Sequence, residues 1–423
     1  MWRLPGSPPV RLRVLRGAAV IALDLILCSL SVLLLLVDPP SDAESYRETC
    51  FFTMASFTWL VRGTFFMLES STLENLMSML LDSAKRFPDD GVGIRSNYRK
   101  KTAMLSLLWQ AAPVLVLPAW LAQPVLERRY VTTGNITELS WRPVLYMLTP
   151  GDGQASPNYE TVYVLQVVSV LVAVQTSVMM DIYFSHGLLL LAAELDVLNA
   201  NIARMRLTAA ARMESQSMGN MTVLEHSGTN TRPSKGIHFY NKNKIIAEDE
   251  LHNSAPLYEN TSDTYRELYK SLVKNVRHHQ RIMICTDELQ GAMSKSITIV
   301  LVVSTFVICL NAFGFVEMFQ GAASRGSVVK RIVGFLVYLT HNGLFCFLGQ
   351  AVTDQSERLQ HSAFGCGWPD ANTQFKRSLM IMMQQTSRPL IIRVGKLFTL
   401  SSNTFIQIIN TSYTIFNMML SLQ

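Results

Sequence analysis

Charge is the first thing this 423-residue chain runs short of. Asp, Glu, Lys and Arg make up 16% of it, where a soluble domain would carry nearer ~25%. Apolar residues reach 49% and the mean hydropathy is +0.22. That balance excludes an ordinary soluble protein, and it is too polar for a chain lying wholly in lipid. Several membrane spans plus a sizeable polar part fit it. Cysteine is sparse as well: Cys28, Cys50, Cys285, Cys309, Cys346 and Cys366 are scattered, with no CxxC pair and no Cys/His cluster. A disulfide framework or zinc site is therefore not expected, and free thiols packed as small apolar groups are. Catalytic sequence is missing too. No HExxH or Ser/His/Asp arrangement is readable, and Gly91 and Gly93 sit too close together for a phosphate loop, so neither enzyme activity nor a cofactor is expected. The net charge of +6 is not gathered into a tail and is read as membrane orientation rather than nucleic-acid binding.

Long apolar runs are what the chain does have. Seven stand out, at roughly 18–37, 51–68, 102–122, 160–192, 296–318, 328–350 and 397–420. The first follows Arg3, Arg11, Arg13 and Arg16 as a signal peptide would. Its apolar stretch, about twenty residues with no small-residue cleavage site after it, reads instead as a retained span.

Lys and Arg vary in density between successive loops. Four precede span 1, Arg47 stands alone in 38–50, and Lys85, Arg86, Arg95, Arg99, Lys100 and Lys101 crowd 84–101. The basic segments belong on the cytoplasmic side. The expected fold is thus an all-α membrane protein of seven transmembrane helices, N-terminus cytoplasmic and C-terminus extracellular. That orientation is the reverse of a receptor coupled to G proteins. Of the sequons, Asn135 falls in an extracellular loop and is the candidate for glycosylation. Asn220 and Asn260 fall on the cytoplasmic side, and Asn410 lies in the last span.

Four segments follow: 1–200 with spans 1–4, 201–295 as cytoplasmic loop and helical extensions, 296–350 with spans 5 and 6, and 351–423 with a short cytoplasmic helix and span 7. The stretch 212–262, rich in Ser, Asn, Gly and charge, reads as a flexible loop. After it, Leu268, Leu272, Val276 and Ile282 recur at helical spacing among Arg and Lys. Span 5 is therefore expected to extend into the cytoplasm as a basic amphipathic helix. Packing on its neighbours is its plainest role, with calmodulin or lipid head groups as alternative partners. His278 and His279 are adjacent, so they point different ways on a helix and make a poor metal site.

Ionisable groups inside spans are costly and ask for partners. Asp24 and Arg62 fall at similar depth in spans 1 and 2, so they either pair, or Arg62 snorkels and Asp24 meets water separately. Asp181, late in span 4, is placed near the inner boundary or beyond it.

The last span carries Asn403, Gln407, Asn410, Thr414, Asn417 and Ser421. Their steps of 4, 3, 4, 3 and 4 align them in one seam, about 27 Å long at 1.5 Å per residue. Such a seam either bonds to neighbouring helices or faces water in a pore. A pore would need several subunits around an axis. With no Asp, Glu, Lys or Arg between 403 and 421, ion discrimination would be weak. Met418 and Leu422, one turn apart, are candidates for a constriction that closes by dewetting.

The stretch 387–420 resembles the C-terminal signature of the insect odorant receptor family, in Pro389 and Leu390, a glycine opening the last helix at Gly395, Thr404 and Phe405, and Ser412 and Tyr413. Phe345 to Gln350 resembles the family's sixth-span ending, and Trp368 the tryptophan before its short helix. The tail reads Tyr413, Thr414, Ile415, Phe416 where the family commonly has Tyr-Ser-Tyr-Phe, and it differs clearly from the shared co-receptor. The resemblance implies an odour-tuning subunit of an odorant-gated, non-selective cation channel, a heteromeric tetramer with the co-receptor in the plasma membrane of a sensory dendrite. It places the gate at Met418 and Leu422, and the pocket for a small volatile odorant in the outer half of spans 2, 3, 4 and 6. Candidate contacts there are Phe51, Thr58, Trp59, Trp120, Tyr163, Gln166, Phe335 and Tyr338, with Thr58, Thr161, Gln166 or Tyr338 offering a hydrogen bond. A gustatory-type channel working without the co-receptor is the alternative. A transporter would show repeats or broken helices, and none is evident.

Overall fold

The computed structural model describes residues 10–40, 42–89, 93–126, 129–133, 136–140, 144–148, 157–227, 242–319, 325–395 and 397–421. Nine α-helices are found among them: α1 (Val10–Val37), α2 (Ala43–Leu68), α3 (Ser70–Arg86), α4 (Ile94–Leu126), α5 (Asn158–Ser227), α6 (Lys242–Phe319), α7 (Arg325–Phe364), α8 (Thr373–Thr386) and α9 (Ser402–Ser421). Two small antiparallel hairpins accompany them: β1 (Arg129–Thr133) with β2 (Ile136–Ser140), and β3 (Arg393–Val394) with β4 (Phe398–Thr399).

Local chemistry sets the breaks. Asp38, Pro39 and Pro40 stop α1: two successive prolines each lack the N–H of the helix ladder, and each pushes the residue before it toward extended backbone. Asp42 then caps α2, its carboxylate accepting from the Ser45 backbone N–H at 3.1 Å. Asn372 caps α8 in the same way, through the Phe375 N–H at 2.9 Å. The helix α3 buries Leu73, Leu76, Met77 and Leu80, a one-sided apolar stripe.

Six helices among the described residues are long and apolar enough to cross a membrane: α1, α2, α4, α5, α6 and α7. The 20-residue α9 does not reach that hydropathy because its polar seam dilutes it. At 70 and 78 residues, α5 and α6 run for more than ~100 Å, far beyond the ~30 Å hydrocarbon layer.

Those extensions make the main core. On α5, Phe184, Leu188, Leu191, Leu195, Leu198 and Ile202 are all buried and step by 4, 3, 4, 3 and 4, the seam of a helix bundle. They join Leu272, Ile282 and Leu289 of α6, Val352 and Leu359 of α7, and Phe375 and Leu379 of α8 in one cluster. A second, smaller cluster of Leu27, Phe52, Leu145 and Val170 lies at the end where α1 meets α2, here called the upper end. All six cysteines are free thiols, and all but the half-buried Cys50 are buried.

Two expectations need correction. Helix occupies 212–227 and 242–262 at the ends of the stretch read as a flexible loop. Propagating an existing helix is far easier than nucleating one, so polar composition alone does not end α5 or α6. The last helix also begins at Ser402, capped by Ser401, not at Gly395. Gly395 instead turns β3 into β4 at φ +60°, where a Cβ would stand 2.4 Å from the Thr298 Oγ1.

Candidate ligand pocket and pore helix

At the upper end, α2, α4 and α7 bring aromatic rings together. Phe51 stacks on Trp120 at 5.6 Å between centroids and meets Phe52 and Tyr338 edge-on at 5.3 and 6.0 Å. Phe52 in turn meets Trp120 edge-on at 5.2 Å. Such pairs add directional attraction to apolar burial. Phe335, one turn from Tyr338, packs against the main core with it.

The other candidate contacts sit differently. Gln166 is buried and spends its amide on one backbone, accepting from the Leu145 N–H at 3.1 Å and donating to the Leu145 carbonyl at 3.0 Å. It fastens the 144–148 segment over the aromatic group. The Tyr163 hydroxyl donates to the Leu121 carbonyl at 2.9 Å, and its ring stacks with Tyr159. Thr58 returns its hydroxyl to the Met54 carbonyl of its own helix, and Thr161 does likewise to Pro157. Trp59 is half-buried further along α2. The rings of Phe51, Trp120 and Tyr338 therefore converge, while Gln166, Tyr163 and Thr58 have their polar groups engaged elsewhere.

Deeper in the bundle, the pairing considered between Arg62 and Asp24 is replaced. The Arg62 guanidinium forms an ion pair with Asp181 of α5 and donates to Ser177 at 2.6 Å and Ser296 at 3.3 Å. His341 of α7 approaches Asp181 at 3.7 Å and meets the Trp109 ring edge-on at 5.0 Å. Asp24 Oδ1 is buried with no hydrogen-bond partner among the described residues. Asp181 is buried inside the bundle against Arg62. The Asp181 partner was missed in the sequence, although the same rule that singled out Arg62, a charge within an apolar run, marks Asp181 as well.

At the lower end, Glu194 accepts two bonds from Arg95 at 2.8 Å and lies 2.8 Å from His278 Nε2. His279 is buried separately. The apolar face of this part of α6, Leu272 and Ile282, is turned into the core. No group of three metal-ligating side chains occurs among the described residues.

The helix α9 packs by one face only. Thr404, Ile408 and Ser412 are buried, the Cys309 thiol donates to the Ser412 carbonyl at 3.2 Å, and Phe405 contacts Phe347. All six seam residues, Asn403, Gln407, Asn410, Thr414, Asn417 and Ser421, are exposed on the single chain, as is Met418. Leu422 and the candidate glycosylation site Asn135 lie outside the described residues.

The chain resembles known proteins in fold and in sequence. The insect olfactory receptor OR5 from Machilis hrabei, solved in complex with eugenol, superimposes with a TM-score of 0.68 over 100% of this chain and 94% of that one, at 17% identity. Odorant receptor 2a of Drosophila melanogaster is 26% identical over 177 residues, 42% of this chain and 44% of that protein. Odorant receptor 85c of the same fly is 26% identical over 152 residues, 36% and 38% of the two chains. The matched stretches thus span about two-fifths of these curated relatives' length. A family model described as 7tm odorant receptor matches residues 44–413, and this multi-pass membrane protein belongs to that family.

Proposed function

We propose that the chain is the odour-tuning subunit of an odorant-gated, weakly selective cation channel, assembled with a co-receptor into a heteromeric tetramer in the plasma membrane of a sensory dendrite. The observation that carries this reading is the division of α9. Its back is fixed to α6 and α7, and an uncharged polar seam about as long as the hydrocarbon layer is thick is left open for neighbouring subunits to close around water. The charge alternation among the loops supports a cytoplasmic N-terminus and puts the upper end outside.

The ligand would lie among Phe51, Trp120, Phe335 and Tyr338, an apolar site of the kind small molecules favour; OR5 of Machilis hrabei, with the same fold, was solved with eugenol bound. Trp59, Thr58, Tyr163 and Gln166 would shape its surroundings. Binding opens the channel only if the odorant prefers the open arrangement, which requires movement at the upper end to reach α9 and widen the path at Met418 and Leu422. Lipid contacts the apolar faces of the spans. Calmodulin at the basic helix is disfavoured, since the apolar residues it would grip are buried.

Current recording in cells with and without a co-receptor, screened with volatiles, tests the proposal. Odorant-evoked current is expected only with both subunits; current from this chain alone would favour the gustatory-type alternative.

A further inference from the structure

At the lower end, the last turn of α3 and one face of α6 border an open cleft of about 530 Å³. Its walls include Arg86, Phe87, Tyr269, Lys270, Lys274 and Arg277. The basic positions on α6 step by 4 and 3, so they share one face, and Arg86 joins them from α3. All four basic side chains are exposed.

Counter-charge is incomplete. Glu267 pairs with Lys270 at 2.8 Å, and Asp82 is shared between Arg86 at 2.9 Å and Arg281 at 3.0 Å. Among the described residues no carboxylate pairs with Lys274 or Arg277. Four cations thus line the cleft, and only Lys270 and Arg86 meet a carboxylate, which leaves the charges of Lys274 and Arg277 unbalanced in one concavity, where convergent fields attract anions. The floor is rigid: Phe87 is buried and stacks on His278 at 4.2 Å with planes 9° apart, and His278 is held by Glu194.

We propose that this cleft binds a small anion bearing several phosphate groups, of the inositol polyphosphate class. Lysine and arginine together suit phosphate oxygens, one as a point charge and one as a planar fork, and only a ligand with clustered phosphates would neutralise the surplus. A phosphoinositide head group offers the same chemistry, but depth favours the free anion. Arg277 precedes Ser296, the partner of Arg62 where the apolar run of α6 begins, by 19 residues of continuous helix, or about 28 Å. The cytoplasmic location rests on the proposed orientation; the chemistry of the cleft does not.

The test is a binding titration of purified full-length protein with inositol hexakisphosphate at ~150 mM salt, where loose surface attraction is screened. Saturable binding, one per chain, is expected. The double variant Lys274→Gln/Arg277→Gln should weaken it at least about tenfold, while Arg99→Gln/Lys100→Gln, which removes equal charge from α4, should change it less than about twofold. Thermal melts without ligand establish that both variants are folded. Absence of saturable binding, or equal loss in the two variants, would overturn the site. In a competition arm, vesicles containing phosphatidylinositol bisphosphate should displace the soluble anion no better than phosphatidylserine vesicles of matched charge. Stronger displacement would overturn the free-anion assignment. Odorant current is not the readout, so failure here leaves the channel proposal untouched.

Discussion

Arg62 of α2 and Asp181 of α5 form an ion pair inside the bundle, with side chains 2% and 3% exposed. Breaking a buried pair strands the surviving charge, at a cost of roughly 3–5 kcal/mol. Arg62→Gln and Asp181→Asn should each sharply lower the yield and melting temperature of detergent-purified protein, and the double variant should lose less than the sum. Asp24→Asn, at a carboxylate with an unpartnered oxygen, should be neutral or stabilising. Additive losses at Arg62 and Asp181 would mean that the pair contributes nothing as a pair.

The aromatic group gives a prediction about ligand sensitivity. Trp120→Ala and Tyr338→Ala should raise the odorant concentration for half-activation by about tenfold or more, the scale of one lost pocket contact, at unchanged surface expression. Tyr163→Phe removes a hydroxyl that serves the Leu121 carbonyl and should leave odorant rank order intact. Dose–response curves across a volatile panel distinguish these outcomes.

For the proposed pore, Asn410→Cys and Asn417→Cys should react with a water-soluble thiol reagent faster in odorant than without it, and the reaction should block current. Leu422→Ser should raise unliganded current. Thiols at 410 and 417 that stay unmodified with or without stimulus would place the seam against protein or lipid.

Glycines supply a stability series. Gly349→Ala would set a Cβ 2.2 Å from the Leu400 Cβ, and Gly395→Ala would add the left-handed φ to its clash with Thr298. Each should destabilise by about 1–3 kcal/mol or more. Gly291→Ala meets nothing within 4 Å in the middle of α6 and should stabilise by about 0.5–1 kcal/mol. Melting curves of the three variants make the comparison.

Cys366, just beyond α7, is buried, and that burial pushes its thiol up to about 11. A raised thiol stays neutral and unreactive until pH climbs toward that value. Maleimide at neutral pH should therefore leave Cys366 unmodified in folded protein and label it after denaturation.

The spans, their order and the α9 seam were legible because each rests on periodicity or long apolar runs, signals local to one helix. What was not legible depends on neighbours. Asp181 rather than Asp24 partners Arg62 because α5 crosses α2 at that height. Gln166 reads as a polar group in an apolar run, and only the return of the 144–148 segment shows that it serves a backbone instead of a ligand. Gly395 reads in the sequence as the opening of the last helix, but its role belongs to a hairpin packed on Thr298, a contact nearly a hundred positions away. The continuation of helix through 212–227 was hidden by composition, which reports solvation better than conformation.

Two helices of this chain carry the same 4-3-4-3-4 spacing with opposite chemistry: apolar side chains on α5 meet other helices of the same chain, while the row on α9 is exposed and its Thr414 and Ser421 hydroxyls bond only to carbonyls of their own helix. A lone copy in a bilayer would present that row to hydrocarbon, where each uncompensated polar side chain is penalised. If the chain assembles as proposed, solitary copies should accordingly be poor survivors of membrane quality control, and supplying the co-receptor should raise the amount of this protein a cell keeps.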